Sequence, residues 1–143
     1  MRNFIICLAI VTLSCSLYAQ NTTLPDVVSK AFEQKFPKAK KVKWSSENID
    51  DYQAEFVSDS LNARALFSPK GEWLQTSVDV AQTKLTPATH QYIKKQYPKQ
   101  KIQKVSKIDT LKKDPYFEIE LKKGEELDYI YFNLTGEEIA PPK

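Results

Sequence analysis

His90 is the only histidine in the sequence, and Cys7 and Cys15 are the only thiols. Imidazole and thiolate carry much of the nucleophilic, general-base and transition-metal chemistry of proteins, so their scarcity narrows what this chain can do. Both cysteines sit in an N-terminal apolar segment that reads as a removable leader. Without them, a metal site would rest on one imidazole and carboxylates. His90 lies beside the apolar face of a helical pattern, where a half-exposed structural residue is expected, and no G-x-S-x-G elbow accompanies it. Glu118 and Glu120 share one strand face in "FEIEL". Such pairs can do acid–base work, yet their alternation with Phe117, Ile119 and Leu121 suits an open, solvated sheet face. Asp50 and Asp51 read as a turn, and three glycines leave no phosphate-cradling loop. The expectation is a protein that is not an enzyme, with no catalytic, cofactor-binding or metal-binding residues.

Lysines form the next candidate. Lys38, Lys40, Lys41 and Lys43 follow one helical pattern, and Lys94, Lys95, Lys99, Lys101, Lys104 and Lys107 surround the end of another. Cations at a helix C-terminus complement the macrodipole by about 0.3–1 kcal/mol each. Solvation accounts for most of the others, and an anionic partner is the alternative reading. Formal charge is +3 over the whole chain, too balanced to argue for nucleic acid or a membrane surface.

The elements that must position any site are announced by a repeat. "KFPKAKKVKW" (35–44) is echoed by "QYPKQKIQKV" (96–105). Before each stands an amphipathic pattern, "LPDVVSKAFEQKFP" (24–37) and "LTPATHQYIKKQYP" (85–98). Thr23 with Asp26 resembles a capping box, and Thr86 before Pro87 puts Pro at the first helical position. Pro37 and Pro98 disfavour helix in the residue before them, so both helices should stop at the aromatic. The period then changes from 3.6 to 2 through "YQAEFV" (52–57), "ARALFS" (63–68) and "EWLQTSV" (72–78). The second round is "YFEIEL" (116–121), "LDYIYFN" (127–133) and "EEIA". The predicted class is α+β: two tandem repeats of one helix plus an antiparallel meander of about four strands. The expected boundaries are a signal peptide over 1–19, a first repeat over 20–81 and a second over 82–143.

Met1–Asn3 supplies a positive start, Phe4–Leu13 an apolar run of about ten residues, and "SLYAQ" a cleavage point after Ala19. The run is too short to span a bilayer. A buried helix is one alternative. Lipid anchoring at Cys15 is another, disfavoured by the Thr and Leu before it in "VTLSC". Cleavage leaves a chain without thiols, destined for the periplasm or secretion.

These patterns resemble the beta-lactamase-inhibitor-like, PepSY-like family of exported bacterial proteins. The resemblance rests on "LPDVVSKAF", "KFPKAKKVKW", "YQAEF" and "FSPKGEWLQT" in the first copy. In the second it rests on "YIKKQYP" and "YFEIELKKGEELDYIYFNLTGEEI". It covers about residues 24–140 and implies tandem α-β4 repeats in a periplasmic or secreted protein, mostly without assigned function. The namesake relatives inhibit enzymes by laying a concave sheet face on the target. Nothing in this sequence matches a particular inhibitory loop.

Alternation assigns the faces. With Phe117, Ile119 and Leu121 toward the helix, Ile130 and Phe132 join them, and Tyr129 and Tyr131 point outward. In the first copy Ala65, Phe67 and Leu74 go inward, leaving Arg64, Leu66 and Trp73 outside; Trp44 shares the core side with Val42. Trp, Tyr, Leu and Arg on an open face form a candidate partner-binding set. The expected function is an exported binding module contacting a protein or peptide through that face, with inhibition of an enzyme as one form. The alternative is a small-ligand carrier or sensor with a pocket between helix and sheet. "NTT" (21–23) and "NLT" (133–135) match N-glycan acceptors, while "DSL" (59–61) and "DTL" (109–111) resemble bacterial O-glycan acceptors near expected loops.

Overall fold

The structure, a computed structural model, describes residues 24–46 and 51–142. The leader and its cleavage point, both cysteines, the 21–23 acceptor and Asp50 lie outside the described residues. Helices α1 (Asp26–Lys35) and α2 (Pro87–Gln96) each stop before the aromatic–Pro pair. The Phe36 N–H donates to Phe32 O, and the Tyr97 N–H to Ile93 O, both at 2.8 Å. Pro37 and Pro98 then prevent a further turn. The starts differ. Thr86 caps α2, its hydroxyl accepting from the Thr89 N–H at 3.1 Å with Pro87 at the first position. The N-cap of α1 is Pro25, which has no side-chain hydrogen bond to offer, and Thr23 of the expected capping box lies outside the described residues.

Strands β1 (Lys40–Ser46), β2 (Tyr52–Ser58), β3 (Leu61–Phe67) and β4 (Trp73–Asp79) follow α1. After α2 come β5 (Lys101–Thr110), β6 (Tyr116–Lys123), β7 (Glu126–Asn133) and β8 (Glu138–Ile139). A 3-10 turn at Gln82–Lys84 leads into α2. The fold is α+β, with both helices and a single eight-stranded meander whose strands lie in chain order, every neighbour antiparallel. The halves join edge to edge, β4 pairing β5 from Gln75↔Thr110 to Asp79↔Ser106.

The shared sheet does not mean a shared core. Around α1, Val28 and Phe32 pack on Ala54, Phe56, Ala63, Ala65 and Phe67. Around α2, Leu85 and Ile93 pack on Val105, Ile119, Leu121, Ile130 and Phe132. Directly opposed residues in an antiparallel pair share a face, so the register places Thr76 with Asp109, and Val78 with Lys107, on the helix side of the seam. Lys107 Nζ lies 3.0 Å from Asp109 Oδ1 there. A polar strip thus separates two hydrophobic clusters. Ten-residue helices have little stability alone, and these docking faces are what hold them.

Two irregularities overturn face assignments made from strict alternation. Between β3 and β4 the register shifts, with Leu66 opposite Gln75 but Phe67 opposite Trp73. Leu74 is the extra residue of this bulge, so it is not in the core. Trp73 consequently points to the helix side. It packs on the first cluster, its Nε1–H donates to Thr76 Oγ1 at 2.7 Å, and Lys35 of α1 lies 3.9 Å from its ring centroid. Trp73 is therefore not an outward residue. A second shift between Lys40 and Lys43, with Lys41 at φ 55°, leaves Val42 exposed while Trp44 packs edge-on to Phe32 at 5.2 Å.

Candidate functional site

The face of the sheet opposite the helices can be traced strand by strand from the register. Lys43, Glu55, Arg64, Ser77, Ile108 and Tyr116 form one row across it. Asp79, Ser106, Glu118 and Tyr131 form the next, and Lys104, Glu120 and Tyr129 a third. Both helices pack on the other face, yet the middle of this one is closed to water. Ile108 is 2 % exposed, Tyr116 and Ser77 5 % each, and Ser106 2 %.

Curvature is the cause. Arg64 on β3 and Tyr129 on β7 line the same recess, together with Glu118 and Glu120. Four strand spacings would hold them about 19 Å apart on a flat sheet. The twist inherent in antiparallel strands, with bulges in β1, β4 and β5, bends the sheet into a trough. Its concave side carries the outward residues. Side chains at the bottom of a trough bury one another, whereas those on its walls stay open: Tyr129 is 49 % exposed.

The two walls differ in charge. On the β6–β7 wall, the Tyr129 hydroxyl donates to Glu120 Oε2 at 3.3 Å, and Tyr131 stacks edge-on against Tyr116 at 6.1 Å between centroids. The Glu120 charge is the main reason the Tyr129 phenol titrates above its usual 10, with Arg64 pulling slightly the other way. Burial, then the Glu118 charge, raises Tyr131 and Tyr116. Three phenols and two carboxylates make this wall an anionic, aromatic surface. On the β1–β3 wall stand Lys43 and Arg64, with Glu55 between them in register. Lys104, near the centre, is neutralised by Asp79 at 2.9 Å.

Of the residues singled out from sequence, Arg64, Leu66, Tyr129 and Tyr131 lie in the trough, and Trp73 does not. Alternation from Phe117 would also have found Tyr116, and alternation from Arg64 across the ladder would have found Gln53, Gln75 and Ser77. What alternation cannot supply is the curvature that brings both sets together. His90 sits on α2, where its Nδ1 is 3.0 Å from Thr86 O, a local backbone contact. No group of three or more His, Cys, Asp or Glu among the described residues could hold a metal ion. No described helix is long and apolar enough to cross a membrane.

The acceptor patterns fare differently from one another. Asp59 and Ser60 form a two-residue turn at φ 48° and 67°. "DTL" borders a loop: Asp109 and Thr110 end β5, Leu111 begins the connection that follows, and the Thr110 hydroxyl exchanges hydrogen bonds with the Lys113 backbone. Asn133 is committed to its own turn, accepting from the Thr135 and Glu137 N–H groups and donating to Glu137.

A family described as "Putative beta-lactamase-inhibitor-like, PepSY-like" matches over residues 16–60 and 50–136. The chain belongs to this beta-lactamase-inhibitor-like, PepSY-like family. Several solved structures share the fold. A "putative periplasmic" protein of Bacteroides eggerthii is 23% identical, with a TM-score of 0.73 over 81% of this chain and 86% of that one. A DUF2874 family protein of Bacteroides ovatus is 22% identical, with a TM-score of 0.72 over 82% and 86%. A BLIP-like protein of Bacteroides fragilis is 18% identical, with a TM-score of 0.70 over 81% and 83%. Identities this low speak for the fold alone. Among curated proteins, none matches this chain.

Proposed function

We propose that this PepSY-like chain is an exported, non-catalytic binding module whose concave sheet face docks a protein or peptide. The observation that carries the reading is a trough whose floor is buried by its own side chains while its walls stay open. Solvent-facing tyrosines beside an arginine have the composition of interface hot spots. Export to the periplasm or beyond rests on the leader pattern and on fold relatives described in those terms. A preformed trough also spares a partner the cost of ordering it. Inhibition of an enzyme is one form such docking could take, and the shared fold alone does not select it. The boundaries 20–81 and 82–143 are offered as the two repeats that together build the trough. The alternative of a small-ligand carrier needs room between helix and sheet, where the two hydrophobic clusters pack.

The test is site-specific photocrosslinking in living cells. A photoreactive phenylalanine at Tyr129 should give a discrete higher-mass adduct, and the same group at Lys94, on α2, should not. Adducts from both positions, or from neither, would remove the docking role of the trough.

A further inference from the structure

Resting on that docking reading, we infer that the β2–β4 side of the trough contains a subsite for one acidic side chain, Asp or Glu, of the partner polypeptide. A recess of about 220 Å³ is lined there by Gln53, Arg64, Gln75, Ser77 and Glu118 over the apolar floor of Leu66 and Ile108. Two of its groups are unfinished. Ser77 is 5 % exposed, and its Oγ is buried with no hydrogen-bond partner among the described residues. Native proteins rarely leave such a hydroxyl unpaired, since its desolvation is uncompensated. Directly opposite Ser77 in the ladder is Arg64. This half-buried guanidinium makes no ion pair or side-chain hydrogen bond among the described residues, although Lys104 nearby is paired with Asp79.

The donor count selects the ligand. Arg64 offers a planar fork of N–H groups, Ser77 one O–H, and Gln53 and Gln75 an amide NH₂ each. The acceptor among these side chains that carries charge, Glu118, stands on β6, three strands from Arg64, and faces Tyr131 in the ladder. Glu55, facing Arg64 from β2, makes no ion pair with it. A carboxylate satisfies a guanidinium bidentately and can accept from a neighbouring hydroxyl at once. A neutral amide brings one acceptor oxygen and leaves its own NH₂ facing more donors. Size decides what carries the carboxylate. Pockets that enclose a free ligand start at about 300 Å³, so this recess suits a side chain anchored to a larger partner lying along the trough.

A random peptide library displayed on phage, with each peptide fused at its C-terminus, provides the probe. It is panned on the purified full chain and on Arg64→Gln. Enriched peptides should share an Asp or Glu at a fixed position, and Arg64→Gln should lose that preference while keeping its melting temperature. In titrations with the best peptide, changing its acid to the amide should weaken binding about tenfold or more. Arg64→Lys should restore part of the preference. Ser77→Ala is the discriminating variant: it should weaken the acidic peptide several-fold and leave the amide peptide unchanged, while stability holds or rises. A residue kept only for structure would not behave this way. Enriched peptides without a shared acid, or a preference that survives Arg64→Gln, overturn the subsite and leave the docking face standing. No enrichment on either protein counts against the docking face and removes the subsite with it.

Discussion

Each helix is followed by four strands, and the two hydrophobic clusters that result are filled with different chemistry. In the first, aromatic rings fill the space: Phe32 meets Phe36, Trp44, Phe56 and Phe67 at 5.1 to 6.1 Å, and the strands beneath are floored by Ala54, Ala63 and Ala65. In the second, Ile93 occupies the place of Phe32, and the strands contribute Val105, Ile119, Leu121 and Ile130. Large-on-small and medium-on-medium fill similar volume, and conserved volume is what a core requires. The link from helix to last strand is also rewritten. Trp73 and Glu138 follow the late-turn glycine at the same interval; one takes Lys35 over its ring, while the other accepts from the hydroxyls of Tyr92 and Tyr97. The backbone scheme is thus indifferent to which side chains meet, provided the sites are filled.

The sharpest way to break this equivalence is to empty matched sites. Phe32→Ala should cost about 4 kcal/mol and Ile93→Ala about 3 kcal/mol by urea denaturation, the larger ring leaving the larger cavity. A single shared transition for both would mean that the β4–β5 seam couples the halves; separate transitions would mean that the polar strip lets them melt apart.

The late-turn glycines come next. A Cβ on Gly136 would stand 2.6 Å from Thr86 Oγ1 and 2.8 Å from Thr89 Oγ1, and one on Gly71 2.8 Å from Val27 O. Both also have positive φ, so Ala at either should lower stability by about 2 kcal/mol in thermal unfolding. Gly124 has φ 61° with nothing among the described residues within 4 Å of a Cβ. Its Ala variant isolates the backbone strain, about 1 kcal/mol.

Thr86→Ala should cost about 1 kcal/mol through the lost cap. Among the described residues the first helix has no matching side-chain cap, so α1 is expected to exchange its first amides faster than α2 in hydrogen exchange. The smallest expected effect concerns titration. Tyr92 is raised above 10 mainly by its bond to Glu138, and Tyr97 by burial and then the Glu138 charge. A raised folded value stabilises the protein below 10, and that contribution is lost as pH climbs through the folded values. Glu138→Gln should bring the tyrosinate absorbance of these two phenols back toward 10, with no change in the first half.

How much of the site could be read in advance depended on the residue. Tyr129 and Tyr131 face the trough because β7 alternates without interruption from Leu127 to Asn133 against β6. Arg64 and Leu66 do so because β3 pairs β2 without a shift. Trp73 failed because one extra residue at Leu74 flips the strand's start. No local composition distinguishes that bulge from regular strand, because the extra residue is defined only against the partner strand β3. The unpaired state of Ser77 and Arg64 was equally hidden, since a residue's partners belong to other strands.

By itself, the sequence determined where chain direction and periodicity change. Pro37 and Pro98 end helices through a steric clash with the residue before them, Thr86–Pro87 starts one, and period-2 alternation writes most of the strands. These are interactions within a few residues, so they can be read locally. Only the tertiary structure decided that eight strands form one sheet, that this sheet bends into a trough, and that Arg64 and Tyr129 look into one recess across it. Curvature accumulates from twist and bulges over every strand pair, and no single segment contains it.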